Sequence, residues 1–122
     1  MNTNENEIRS TINTYVEGYL TADKNLILKA FSNETRLYSV DDGKLDKTEM
    51  NDWLVNLDAR KNKGDVRQAK LDIKNIDVTE DSAVAKIELH FATMKFTDYL
   101  SLLHVNNTWM IVGKIYSVKS ST

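Results

Sequence analysis

Cysteine and proline are both absent from the 122 residues, and glycine occurs only four times. Without cysteine there can be no disulfide framework, no thiolate metal site and no thiol nucleophile. Charge of one sign is also lacking: 16 basic residues face 18 acidic ones, for a net charge of −2. With a pI near 5.7, no global basic field attracts nucleic acid or acidic lipid. Apolar runs extend only a few residues, too short to span a membrane. The start, Met1-Asn2-Thr3-Asn4-Glu5-Asn6-Glu7, is polar and acidic and lacks the layout of a signal peptide, so a cytoplasmic location is expected. Also missing are internal repeats, a phosphate loop, a zinc-finger spacing, an RNA-binding strand motif and a nucleophile elbow.

What is present is enough chain for one core. For 14.0 kDa, mass scaling gives roughly 20,000 Å² of unfolded surface and about 6,700 Å² folded. One domain is expected over residues 1–122, with its core at about 8–118. The first half reads as helices and the second as strands, an α+β layout. Ile8, Ile12, Tyr15, Val16, Tyr19 and Leu20 form one face of an amphipathic helix. Leu26 to Phe31 predicts a short buried helix with Asp23 as N-cap. Thr35 to Val40 reads as a strand, followed by the turn Asp41-Asp42-Gly43. Lys44-Leu45 is expected to add a bridge. Asp46 with Glu49 fits a capping box opening a third helix, which buries Met50, Trp53, Leu54 and Leu57.

Four strands are predicted after Gly64. The first slips in parity near Lys74, as a β-bulge would cause. Ala83, Ala85, Ile87, Leu89 and Phe91 alternate strictly against Lys86, Glu88 and His90, the mark of a half-buried antiparallel strand. Asn106-Asn107 predicts a two-residue hairpin turn, because asparagine tolerates positive φ. On the last strand, strict alternation puts Met110, Val112 and Tyr116 on one face and Trp109, Ile111 and Ile115 on the other. Long strands of this kind curl, and a cleft is expected between a curled sheet and its helices.

Four segments carry a family resemblance: Tyr15-Val16-Glu17-Gly18-Tyr19, Leu28-Lys29-Ala30-Phe31, Asp98-Tyr99-Leu100-Ser101-Leu102-Leu103 and Trp109-Met110-Ile111-Val112. In this order and spacing the chain resembles the nuclear-transport-factor-2-like superfamily, in its putative lumazine-binding (SnoaL-like) branch. The resemblance implies a cystatin-like cone: a curved antiparallel sheet packed on three N-terminal helices. It also implies a homodimer joined through the outer face of the sheet. Ketosteroid-isomerase relatives use a tyrosine on the first helix, a carboxylate base after the second, and a carboxylic acid on a late strand. Tyr15 matches the tyrosine. By count, the other two positions fall at Ser39 and near Ser101, so both carboxylates are missing there.

The residues leave several readings open. Asp98 stands in an apolar strand, where burial would suit it to acid–base work; it also fits a backbone-bonded or ion-paired structural aspartate. By parity it lies with Leu100 and Leu102, opposite Ser101, and so on the face away from the expected cleft. His90 is a candidate base if its face lines the cleft. Two histidines without clustered acids do not make a metal site, and neither metal nor cofactor is expected. Tyr15, Tyr19, Trp53, His90, Tyr99, Ser101 and Ile111 are the candidate pocket lining, although aromatics at helical spacing are more often ordinary core. Arg60, Lys61, Lys63, Arg67 and Lys70 form either a solvated helix end or an anion-attracting rim.

The reading that follows is a dimeric module that binds an unknown small molecule in an aromatic-lined cleft, with no nucleic acid or membrane partner. One alternative is a polyketide-cyclase-like or ketosteroid-isomerase-like lyase or isomerase acting on a planar hydrophobic substrate, with Tyr15, His90 and Asp98 as its catalytic groups. The other is a protein-interaction domain whose cleft is filled by side chains.

Overall fold

The structure is a computed structural model that describes residues 3–120. Met1 and Asn2, part of the polar start, lie outside the described residues. In chain order come α1 (Thr3–Thr21), α2 (Lys24–Ala30), β1 (Arg36–Asp41), β2 (Lys44–Glu49), α3 (Met50–Asn62), β3 (Lys70–Thr79), β4 (Ser82–His90), β5 (Met94–Val105) and β6 (Thr108–Ser120). The strands make one sheet in the order β2-β1-β6-β5-β4-β3. Every neighbouring pair is antiparallel except β1 and β6, which run parallel. The sheet is therefore mixed, not antiparallel throughout, and α3 lies in sequence between β2 and β3.

The helices cover one face of the sheet. Ile8, Ile12, Tyr15, Val16 and Tyr19 of α1 are buried, and they meet Ala85, Ile87, Leu89, Leu100, Leu102 and Ile111 from the strands. α1 and α2 pack closely at Gly18, where an added Cβ would lie 2.9 Å from Leu26 Cβ and 3.1 Å from the Ile27 nitrogen. Asp23 caps α2 as expected, accepting from the Asn25 and Leu26 N–H groups at 3.0 and 3.3 Å. No helix among the described residues is long and apolar enough to cross a membrane.

Three local expectations meet three outcomes. The Asn106-Asn107 hairpin turn forms, with φ of 50° and 61°. The parity slip at Lys74 is a real irregularity, the register shifting between Ile73 and Asn75. The capping box at Asp46 does not form. Residues 44–49 instead pair with β1 as a full strand, and α3 begins at Met50 without a side-chain cap. Glu49 is drawn away by Arg36, whose Nε lies 3.1 Å from both carboxylate oxygens, and Asp46 faces Ser39 across the ladder.

One further irregularity positions the candidate site. Between β5 and β6 the register steps from Leu102↔Ile111 to Ser101↔Gly113, which leaves Val112 as an extra residue. A β-bulge of this kind reverses the parity of everything after it. Lys114 and Tyr116 therefore share the helix-covered face with Trp109 and Ile111, and Ile115 is turned outward, 55% exposed. The two-face assignment by strict alternation fails at this point.

Candidate functional site

On the helix-covered face, three polar side chains meet in a mostly apolar interior. Tyr15 reaches them from the middle of α1. Asp98 lies on β5 in the row with Leu100 and Leu102, and that row faces the helices, so Asp98 points inward and Ser101 outward, the reverse of the expected assignment. Lys114 lies on β6 beside Leu100 in register. The Lys114 ammonium donates to the Tyr15 hydroxyl at 2.6 Å, and that hydroxyl donates to Asp98 Oδ2 at 2.5 Å. Lys114 Nζ also stands 3.6 Å from Asp98 Oδ2. Side-chain exposure is 5% for Lys114 and 1% for Asp98, so the pair is almost wholly removed from water. Asp98 Oδ1 is buried with no hydrogen-bond partner.

Aromatic rings enclose the amine. Its nitrogen is 4.9 Å from the ring centroids of Tyr15 and Tyr116, 5.1 Å from Trp53 and 6.0 Å from Tyr19. Phe31 packs edge-on against both Tyr15 and Trp53, at centroid distances of 5.0 and 5.2 Å. Burial pulls the Lys114 amine below its ordinary value, against the opposing charge and hydrogen bonding of Asp98. Burial likewise holds the Tyr15 hydroxyl well above the ordinary tyrosine range, reinforced by the Asp98 charge.

The candidate residues named from sequence divide between the two faces of the sheet. Tyr15, Tyr19, Trp53, Asp98 and Ile111 are on the helix-covered face and buried. His90, Tyr99 and Ser101 are on the other. His90 bonds Glu88 Oε1 at 2.9 Å and is exposed, so it cannot act as the base beside Tyr15 and Asp98. Tyr99 and Ser101 line an outer-face hollow of about 660 Å³, together with Tyr38, Val84, Lys86 and Ile115. A strand carboxylate does stand near Ser101, at Asp98, three residues earlier. Ser39 sits on the β1–β2 hairpin with Asp46, away from this cluster.

Lys114 is the residue that alternation missed. The overlooked signal was Gly113, since a glycine inside a strand often marks a bulge. Two of the five residues of the basic cluster are engaged by the chain itself. Arg60 donates to the Tyr19 and Leu20 carbonyls and pairs with Asp65. Arg67 pairs with Asp65 and donates to the Tyr19 hydroxyl at 2.8 Å. The two guanidiniums clamp the loop after α3 onto α1.

On the outer face, ligand atoms of Asp72, Glu88 and His90 lie within 4.8 Å of one another. Lys74 already holds Asp72 at 3.1 Å, and His90 and Lys95 hold Glu88 at 2.9 and 3.8 Å. Two ammonium groups there balance the carboxylates a cation would need.

The profile of the putative lumazine-binding family matches residues 3–117. The chain belongs to this family. No curated protein matches the sequence. Among solved structures, a nuclear-transport-factor-2-like protein of unknown function from Shewanella baltica is 29% identical, with a TM-score of 0.84 over 97% of this chain and 95% of its own. A protein of the same description from Silicibacter pomeroyi is 22% identical, with a TM-score of 0.82 over 98% of this chain and 100% of its own. A ketosteroid isomerase-like protein from Erwinia carotovora shares the fold at 9% identity, with a TM-score of 0.74 over 100% and 99% of the two chains.

Proposed function

We propose that the protein is a small-molecule-binding module whose polar anchor is Tyr15–Asp98–Lys114, and that it works as a homodimer joined through the outer face of the sheet. The observation that carries the binding reading is Asp98 Oδ1, a buried carboxylate oxygen without a partner. Leaving such a group unsatisfied costs on the order of 1–3 kcal/mol, and more when it is charged. A ligand that donates an N–H or O–H to Oδ1 relieves that cost. The adjacent amine offers the complementary contact, a donor to a carbonyl oxygen. Lumazine, named in the family's description, alternates ring N–H donors with carbonyl acceptors, and flat rings stack on aromatic walls.

The dimer reading rests on the outer face. Val84, Tyr99 and Ile115 are 54%, 47% and 55% exposed there. The folded surface of 7598 Å² exceeds the about 6,700 Å² expected of a monomer of this mass. A contiguous exposed apolar face on a small protein marks an interaction surface. The lack of cysteine is compatible with a reducing cytoplasm.

Lumazine titrated into the protein and followed by tryptophan emission tests the site, because Trp53 borders it. Asp98→Asn keeps the shape and should weaken binding at least tenfold; unchanged binding would put the ligand elsewhere. The interaction-domain reading is favoured by one observation, the close packing of the Phe31, Tyr15 and Trp53 rings. It predicts no saturable quenching by any planar ligand.

A further inference from the structure

Among the described residues Lys114 supplies the one charged nitrogen of the cluster, and salt bridging does not account for all its surroundings. A lysine kept for its charge alone is best placed against a fully bonded carboxylate. Here only one oxygen of Asp98 is engaged, and Tyr15 is interposed between amine and carboxylate. The result is a directional chain, Nζ–H to Oη–H to Oδ2, with links of 2.6 and 2.5 Å. One proton passed along it turns ammonium and carboxylate into neutral amine and carboxylic acid without leaving a net charge in the interior.

We propose that Lys114 is a nucleophilic amine that condenses reversibly with the carbonyl group of a small planar aldehyde or ketone, with Tyr15 and Asp98 as its proton relay. This rests on the reading of the same cluster as a ligand site, and it names the ligand's reactive group. The nitrogen lone pair attacks the carbonyl carbon, and the π pair moves to oxygen. The new alkoxide takes back, through Tyr15, the proton that Asp98 received from the ammonium, and the nitrogen then gives up a proton to Asp98 by the same relay. The resulting carbinolamine carries a hydroxyl. Return of that second proton through Tyr15 lets the hydroxyl leave as water, so that ammonium plus carbonyl gives protonated imine plus water, with Asp98 again a carboxylate. No redox partner is required.

Burial among the rings of Tyr15, Trp53 and Tyr116 disfavours the charged amine, and this is how buried lysines become nucleophiles near neutral pH. The same rings offer flat walls to a planar carbonyl compound. Tyr116, the most exposed of these rings, stands 4.9 Å from Nζ.

The experiment treats the folded protein with benzaldehyde and cyanoborohydride at pH 7, and maps the reduced adduct by peptide mass spectrometry. Tryptophan emission is recorded in parallel with benzaldehyde and with lumazine, without reductant. The expected result is modification of Lys114 at least tenfold faster than any exposed lysine, with the preference lost in denaturant and slowed in Tyr15→Phe. Saturable quenching with adducts only on exposed lysines overturns the amine chemistry and leaves the binding site standing. No quenching and no Lys114 adduct overturns both.

Discussion

Lys114 and Ile115 are neighbours on one strand, and each is where the other would be expected. The lysine is buried among aromatic rings, while the isoleucine is 55% exposed on the outer face. A sheet that served stability alone would reverse them, since a buried charge is costly and an exposed isoleucine contributes nothing to the core. The bulge at Val112 enforces the exchange by shifting parity just before both residues. Paired violations of the binary pattern at one point in the fold fall where function is expected. Here the inner face would be specialised for a ligand and the outer face for a second copy.

The largest expected effect comes from breaking the inner side of this contrast. Lys114→Met removes the ammonium and leaves the Asp98 carboxylate buried beside Tyr15. Loss of one partner of a buried pair costs about 3–5 kcal/mol, read as a lower urea midpoint with an unchanged slope. The double variant Lys114→Met/Asp98→Leu should recover most of that loss, because apolar replacement of a whole buried pair is close to neutral. If the double variant is no more stable than the single one, the pair is a structural necessity and the functional contrast fails.

On the outer side, Ile115→Lys should leave the monomer fold intact and weaken self-association. A charge at the centre of an apolar interface should shift the dimer constant by roughly a hundredfold, about 2.7 kcal/mol. Sedimentation at micromolar concentration reads this directly. A wild-type protein that is monomeric under those conditions removes the dimer proposal.

Alkaline titration separates the two faces again, with a smaller effect. Lys114 has a folded value below the ordinary 10.5, so between those two values the unfolded chain binds more protons than the folded one. Stability therefore rises with pH through that window. Tyr15 is held above the ordinary 10.0, so above that value the folded chain keeps a proton that the unfolded chain has lost, and stability falls. A maximum on the alkaline side follows. In Lys114→Met the rising limb should disappear while the fall remains; an unaltered profile would mean that other groups set it.

Much of this arrangement was legible in the sequence because most segments obey one period throughout. The spacing of Ile8, Ile12, Tyr15 and Tyr19 marks the buried face of α1, and the alternation of Ala83 through Leu89 marks the inner face of β4. Tyr15 and Asp98 were identified from residue type and context. Their partner was not, because one extra residue at Val112 reverses which side chains of β6 point inward, and nothing in a simple alternation announces that. The β2 strand was obscured for another reason: Asp46 and Glu49 have the spacing of a helix cap, yet cross-strand partners claim their side chains. Local signals specify local structure, and these two departures are settled by contacts distant in sequence.

The smallest expected effect is the sharpest check on the division between the faces. His90 was a candidate base by residue type, and it shares its strand with four buried inner-face residues. Its own side chain points the other way, pairs with Glu88, and is 43% exposed. Separated from Tyr15 by the thickness of the sheet, it can touch neither a ligand at Asp98 nor the amine of Lys114. His90→Ala should therefore change lumazine affinity and the rate of Lys114 modification by less than about twofold, since a surface substitution of this kind is worth within ~0.5 kcal/mol. Tyr15→Phe, on the inner face, should slow the modification clearly. A His90→Ala variant with impaired binding would show that ligand sits on the outer face, in the hollow bordered by Tyr99 and Ser101, and would reverse the roles assigned to the two sides of the sheet.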